Sequence, residues 1–195
     1  MSQAFKIDKQ DGAYFLTYTT VGWVDLFIRD SYKQFITESL NFCIKERGLQ
    51  IYSYVIMPSH LHMIASAKNN NLSTVIGSFK KYTSRELIKM IKTLPESRRE
   101  CLPALRLQAG LLPIFKTAGE NNPRNKKFQI WQQNNHAEEV YSPKFTLCKI
   151  KYIHNNPVEE GIVSKPEDYL YSSAKDYAGM KSPVNVDMIE LHILF

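Results

Sequence analysis

Cysteine is scarce in this sequence. Cys43, Cys101 and Cys148 are the only three among 195 residues, widely spaced and with no Cys-x-x-Cys pair. They offer no disulfide framework and read as free thiols of a cytoplasmic protein, mostly core filler. Long hydrophobic runs are missing too. None approaches the roughly 18–20 apolar residues of a membrane span, so no membrane partner is expected. Met1 to Asp8 lack an apolar signal core, and the expectation is a protein that is not secreted. There is no internal repeat and no low-complexity linker. What is present is 44% hydrophobic and 12% aromatic residues, too many for a disordered segment. The length suits one domain with a sizeable core. A net charge of +6 tilts modestly toward a polyanionic partner.

Ala13 to Thr20 is rich in aromatic and β-branched residues and predicts a strand. Val21 to Phe27 follows as a turn and a short extended piece. From Asp30, the residues Tyr32, Phe35, Ile36, Leu40, Cys43 and Ile44 recur at helical spacing, with Asp30 or Ser31 as cap and Gly48 at the end. Strands are expected near Gln50–Met57 and His60–Ala67, then a polar turn at Lys68–Asn71. A second helix, from about Ser73 to Lys92, has the stripe Val75, Ile76, Phe79, Leu87, Ile88 and Ile91. Its Lys80, Lys81, Arg85, Lys89 and Lys92 lie mostly elsewhere. Such a face is either simply solvated or set against backbone phosphates, the dominant source of nucleic-acid affinity.

The stretch from 93 to 127 reads as helical pieces over Leu94–Leu112, interrupted at Pro103, then an exposed basic loop over Lys116–Lys127. A short strand is expected over Phe128–Gln133. A helix then opens at Ser142–Pro143, a cap followed by proline at the first helical position, and Pro157 limits its end. Tyr169 to Tyr177 predicts a turn and a short helix, and His192 reads as structural. The order β-α-β-β-α-β-α, with helices packed on an antiparallel sheet, predicts an α+β ferredoxin-like sandwich. The expected organisation is one domain over 1–195, with an insertion at about 93–127 and a C-terminal extension at about 164–195.

The chemistry centres on Tyr54-Val-Ile-Met-Pro-Ser-His-Leu-His-Met-Ile-Ala65. Strand side chains alternate faces, so His60 and His62 project to one side and Leu61 to the other. Two imidazoles side by side on a stiff strand can share a metal ion. They can equally be two ordinary half-buried histidines, and the pair alone does not decide. The second informative segment is Lys149-Ile-Lys-Tyr-Ile-His-Asn-Asn-Pro-Val-Glu-Glu-Gly-Ile-Val163. Tyr152 and Asn156 are four residues apart and share a face on a helix. His154 points away from that face, toward packing or a DNA contact.

Together the two segments resemble the single-tyrosine transposases of the HUH (His-hydrophobe-His) class, in particular the REP-associated tyrosine transposase-like group of insertion-sequence transposases. Their pattern is Met-Pro-x-His-hydrophobe-His and, much later, Tyr-Ile-x-x-Asn-Pro-Val followed by Gly-hydrophobe-Val. Trp131, Tyr171-Ser-Ser-Ala174 and Asp176-Tyr177 fit the group as well. The resemblance spans roughly residues 13 to 178 and is weakest over 93–127.

The resemblance implies a role for each residue. Tyr152 matches the nucleophile that attacks a DNA phosphodiester, forming a 5′-phosphotyrosine link and freeing a 3′-OH. His60, His62 and Asn156 match the ligands of a divalent metal, Mg²⁺ or Mn²⁺; ligand softness alone admits Zn²⁺. A tyrosine of ordinary pKa is only about one part in a thousand ionised at pH 7, so the phosphate must be activated. A phosphotyrosine ester conserves the diester bond energy, so rejoining needs no ATP. Lys80, Lys81, Arg85, Lys126, Lys127, Lys149 and Lys151 are candidate phosphate contacts. Tyr82, within a basic helix, is a rival nucleophile, and His136 is a surface histidine or a DNA contact. The partner implied is single-stranded or hairpin DNA. A homodimer is expected because moving an element needs two ends, although some relatives act as monomers. A relaxase- or replication-initiator-like nickase, or a non-catalytic hairpin-binding descendant of a transposase, are the other readings.

Overall fold

The aromatic and β-branched run becomes strand β1 (Tyr14–Thr19), and the two apolar runs around Met57-Pro58-Ser59 become β2 (Leu49–Ile56) and β3 (His60–Ala67). The computed structural model describes residues 6–93, 103–123, 127–133 and 136–189. Lys126, His192 and the helical pieces expected over 94–102 lie outside them. Helix α1 (Asp30–Arg47) links β1 to β2, and α2 (Leu72–Thr93) follows β3. A short β4 (His136–Glu139) completes a sheet of order β2-β3-β1-β4, antiparallel at every pairing. A β-α-β-β-α-β chain in this order is the ferredoxin-like sandwich.

Alternation divides the sheet into two faces. The side of Leu16, Tyr18, Leu61 and Met63 is covered by α1 and α2. There Trp131 stands edge-on to Tyr18, stacks on Phe27 and meets Phe79 of α2, while its indole N–H donates to Thr83. The side of Phe15, Thr17, His60 and His62 is covered by α4 (Pro143–Glu159). All eight residues of β3 are therefore buried, whereas an antiparallel sheet commonly leaves one face to water. Each large aliphatic side chain buried here contributes about 1.5–3 kcal/mol.

Gly48 ends α1 as expected, at φ 69° with its N–H on the Cys43 carbonyl. At the other end Arg29, not Asp30 or Ser31, occupies the cap position and makes no side-chain cap bond. Asp30 lies in the first turn instead, where a carboxylate favours the positive end of the helix dipole. Ser142 caps α4 by accepting the Phe145 N–H.

Three expectations are corrected. Residues 116–120 are not loop: Pro103 opens helix α3 (Pro103–Glu120), and this helix continues past Pro113. The reason is a buried stripe at four-residue spacing, Leu111, Phe115 and Gly119, whose last two members meet Gln129 and Phe128. Gly119 permits the approach, since a Cβ there would lie 2.6 Å from the Phe128 N. Second, Phe128–Gln133 forms no strand of the sheet: its backbone pairs with the end of β1 at an isolated bridge from Trp131 to Thr20, and the fourth strand is β4. Third, Pro157 does not end α4, which runs on to Glu159. Its missing N–H only deprives the Ile153 carbonyl of its helical partner, and Gly161, at φ 68°, makes the turn beyond.

The chain after α4 returns along β2. Ser172 bridges to Val55, the Ile56 N–H donates to the Tyr171 carbonyl, and the Ser173 N–H donates to the Tyr54 carbonyl. A short helix α5 (Ala174–Tyr177) follows. This cover satisfies an edge strand that would otherwise present unpaired backbone groups. No described helix is long and apolar enough to cross a membrane.

Candidate active site

His60 and His62 lie on the same face of β3, as strand alternation requires, with ring centroids 4.6 Å apart. Each is oriented by a hydroxyl. The Nδ1 of His62 is 2.8 Å from Thr17 Oγ1 on β1, and the Nδ1 of His60 is 3.1 Å from Ser59 Oγ. With Nδ1–H donating to the hydroxyl, the Nε2 lone pair of each ring is left for a ligand. Burial holds both rings below the usual histidine range. His62 is pushed down to about 3 by burial first and then by the neighbouring basic groups His60, Lys149 and His136. His60 is lowered by burial, against which the Asn156 amide pulls the other way. Both imidazoles are therefore neutral at pH 7, the form that binds metal.

Helix α4 lays Phe145, Lys149, Tyr152 and Asn156 along the histidine face, at spacings of three and four residues. The Tyr152 ring meets His62 edge to face at 5.3 Å and Phe15 at 5.9 Å, and Phe15 itself stacks on His62 at 5.4 Å. Tyr152 nonetheless stays 42% exposed, so its hydroxyl is accessible. One turn on, Asn156 is buried; its amide interacts with the His60 ring, yet its Oδ1 makes no hydrogen bond of ordinary geometry among the described residues. Buried orphan acceptors are rare because each costs about 1–3 kcal/mol. Among the described residues no group of three His, Cys, Asp or Glu forms.

Helix α4 is held in position by His154, in the packing role that was one of the two expected of it. Its Nε2 lies 3.1 Å from Ser53 Oγ on β2 and 2.9 Å from Ser173 Oγ in the returning segment. Burial pushes it down to about 4, as suits a packing group. Cys148, expected in the core, is exposed on α4, and with Lys151 and Tyr152 it lines a groove of about 710 Å³ against residues 166–178.

The candidate phosphate contacts separate into groups. Lys81, Arg85 and Lys127 line a groove of about 890 Å³ between α2 and residues 127–133, with Lys89 and Lys92 beside them. Lys80 borders it but turns inward: its Nζ donates to the Gln132 carbonyl, lies 5.4 Å from the centre of the Tyr18 ring and is lowered to about 8 by burial. Lys149 sits at the histidine site, paired with Glu138 at 2.8 Å and lying over the Phe15 and Phe145 rings. Lys151 is on the α4 groove. Tyr82 is on α2, across the sheet from the histidines, near Phe35 and Arg85. His136 opens β4 and faces Glu138.

The sequence reading missed Thr17, Ser59, Phe15 and Trp23 around the histidines. Only the register of β1 against β3 brings Phe15 and Thr17 there: Thr17 pairs with His62 and Phe15 with Ile64.

Residues 24–101, less than half of the chain but including both histidines, match the family described as "Transposase IS200 like". No curated protein matches the sequence. Among solved structures, a REP-associated tyrosine transposase bound to a REP hairpin shares the fold at a TM-score of 0.59 and 18% identity, over 98% of this chain and 96% of that one. The histidine-bearing segment is thus similar to that of IS200-like transposases, and the fold is shared with a REP-associated tyrosine transposase.

Proposed function

We propose that the protein cleaves and rejoins single-stranded DNA beside a hairpin, with Tyr152 as nucleophile. The observation that carries this reading is the approach of Tyr152 to His62 across the α4–β3 interface, with the unpartnered Asn156 oxygen one helical turn away. The Tyr152 Oη–phosphorus bond forms as the phosphorus–O3′ bond breaks. The phenol proton lost is balanced by protonation of the departing 3′ oxygen. Rejoining is the reverse attack by a 3′-OH.

His60 and His62, through Nε2, and Asn156, through Oδ1, would hold Mg²⁺ or Mn²⁺. The donor set is neutral and leaves positions open for phosphate oxygens. The chemistry such an ion supplies when bound is neutralisation of charge on the phosphate and on the departing oxygen. Phe15 and the hydroxyls of Thr17 and Ser59 fix the rings, and Lys149 adds positive charge beside His62. The groove lined by Lys81, Arg85 and Lys127 suits the phosphates of a hairpin stem. The solved transposase bound to a REP hairpin supports that choice of partner.

The test is covalent trapping. The protein is incubated with labelled single strands from the DNA flanking its gene, with Mg²⁺ or Mn²⁺, and resolved on a denaturing gel. An adduct in the wild type that Tyr152→Phe abolishes supports the reading. Tight binding with no adduct overturns it in favour of a non-catalytic hairpin-binding protein.

A further inference from the structure

Trp23 stands in an unusual place. Its side chain is 61% exposed, the most exposed tryptophan surface available in a chain with two, and its ring lies 5.8 Å from that of His60 at 71°. Its backbone is in the left-handed region, φ 55°, following Gly22 at φ 68°. For a bulky residue this is a true outlier, and such strain persists only where the surroundings enforce it.

The surroundings do enforce it. The Trp23 N–H donates to the Thr20 carbonyl, the Val21 N–H to the Ile130 carbonyl, and the Thr20 hydroxyl to the Val24 carbonyl. Ile114 of α3 comes within 3.8 Å of where a Gly22 Cβ would lie. The turn is thus fixed from three sides while the indole is left in solvent. Among the described residues, neither the apolar core nor the hydrogen-bond network uses that indole. An exposed, rigidly aimed aromatic face is what single-stranded nucleic acid stacks on. The turn also hangs from the end of β1, next to Gln132, whose N–H donates to the Thr19 carbonyl and which lines the basic groove.

We infer that Trp23 is a stacking platform for the base of a nucleotide flanking the scissile phosphate, and so positions the single strand at the histidine site. The inference rests on the reading of the protein as a single-strand DNA transposase. The platform takes any base by its π-face and sets register rather than sequence.

Tryptophan emission tests it, because the other tryptophan, Trp131, is only 3% exposed and serves as an internal control. The wild type, Trp23→Phe and Trp23→Asn are titrated with a hairpin carrying a single-stranded cleavage-site overhang, and with the same hairpin without overhang. Asparagine tolerates φ > 0, so Trp23→Asn removes the ring without unfolding the turn, and its melting temperature should not fall. The overhang should quench the red-shifted wild-type emission. Trp23→Asn should lose that response and bind the overhang substrate about 5- to 150-fold more weakly. Trp23→Phe should retain most of the affinity, and binding of the overhang-free hairpin should be unchanged in all three. If Trp23→Asn binds and cleaves the overhang substrate like the wild type, the platform is overturned while the transposase reading stands. If the wild type binds neither DNA, both fall.

Discussion

The rings of His62 and Tyr152 meet edge to face, 5.3 Å apart at 67°, one from the middle of the sheet and the other from the helix that covers it. Neither is placed by its own neighbours in sequence. His62 is held by Thr17 and Phe15 of β1. The helix of Tyr152 is fixed by its Ser142 cap and by the His154 bonds to Ser53 and Ser173.

Tyr152→Phe removes one exposed hydroxyl. It should abolish covalent adduct formation, leave oligonucleotide binding within about twofold and change stability by less than about 0.5 kcal/mol. Tyr82→Phe, on the opposite face of the sheet, should leave the adduct intact. A denaturing gel and a melting curve for each variant check this, and an adduct surviving in Tyr152→Phe would reassign the nucleophile.

Asn156→Leu exchanges an amide with an unpartnered buried oxygen for an apolar group of similar size. Stability should stay within about 1 kcal/mol of wild type, while Mn²⁺ affinity, read by calorimetric titration, should fall at least about tenfold. A protein that melts much lower with unchanged Mn²⁺ affinity would mark Asn156 as structural.

On the basic groove, Lys81→Ala, Arg85→Ala and Lys127→Ala should each weaken hairpin binding and lower the slope of log K against log salt by about 0.7–1. Lys80→Met should leave that slope nearly unchanged, because its ammonium is turned to the Gln132 carbonyl. Equal slope changes at all four positions would refute the distinction.

Lys80 also makes a pH prediction. Burial lowers it from 10.5 to about 8, so between those values the unfolded chain holds a proton that the folded chain has released. Its contribution to stability then rises with pH across the window. Wild-type stability measured against Lys80→Met by urea unfolding should increase from about pH 7.5 to about pH 9.5. A constant difference would mean the lysine is not perturbed.

His154→Ala leaves the Ser53 and Ser173 hydroxyls without that partner and opens space under α4. Unfolding free energy should drop by about 1–3 kcal/mol, and amide exchange should quicken in residues 172–177. Loss of stability with unchanged exchange there would separate His154 from the docking of the returning segment.

Gly119→Ala should destabilise by about 1–3 kcal/mol, since the new methyl meets backbone at 2.6 Å. A melting temperature equal to wild type would show that α3 can move away from residues 127–128.

The sequence by itself determined the alternation that puts His60 and His62 on one face, the i, i+4 pairing of Tyr152 with Asn156, the Ser142–Pro143 helix start and the Gly48 stop. Each is local, fixed by the period of a strand or helix or by the φ a single residue can adopt. Tertiary structure decided the rest. The last turns of helix α3 were hidden because its buried stripe ends on Gly119, and only packing against Phe128 and Gln129 makes them a face. Pro157 resembled a stop, yet burial of Ile153, Asn156 and Pro157 carries the helix through it. The strand partners Phe15 and Thr17 and the inward turn of Lys80 depend on register and packing between distant segments. So does the strained turn that exposes Trp23 beside His60, and local residue patterns cannot encode such long-range placements.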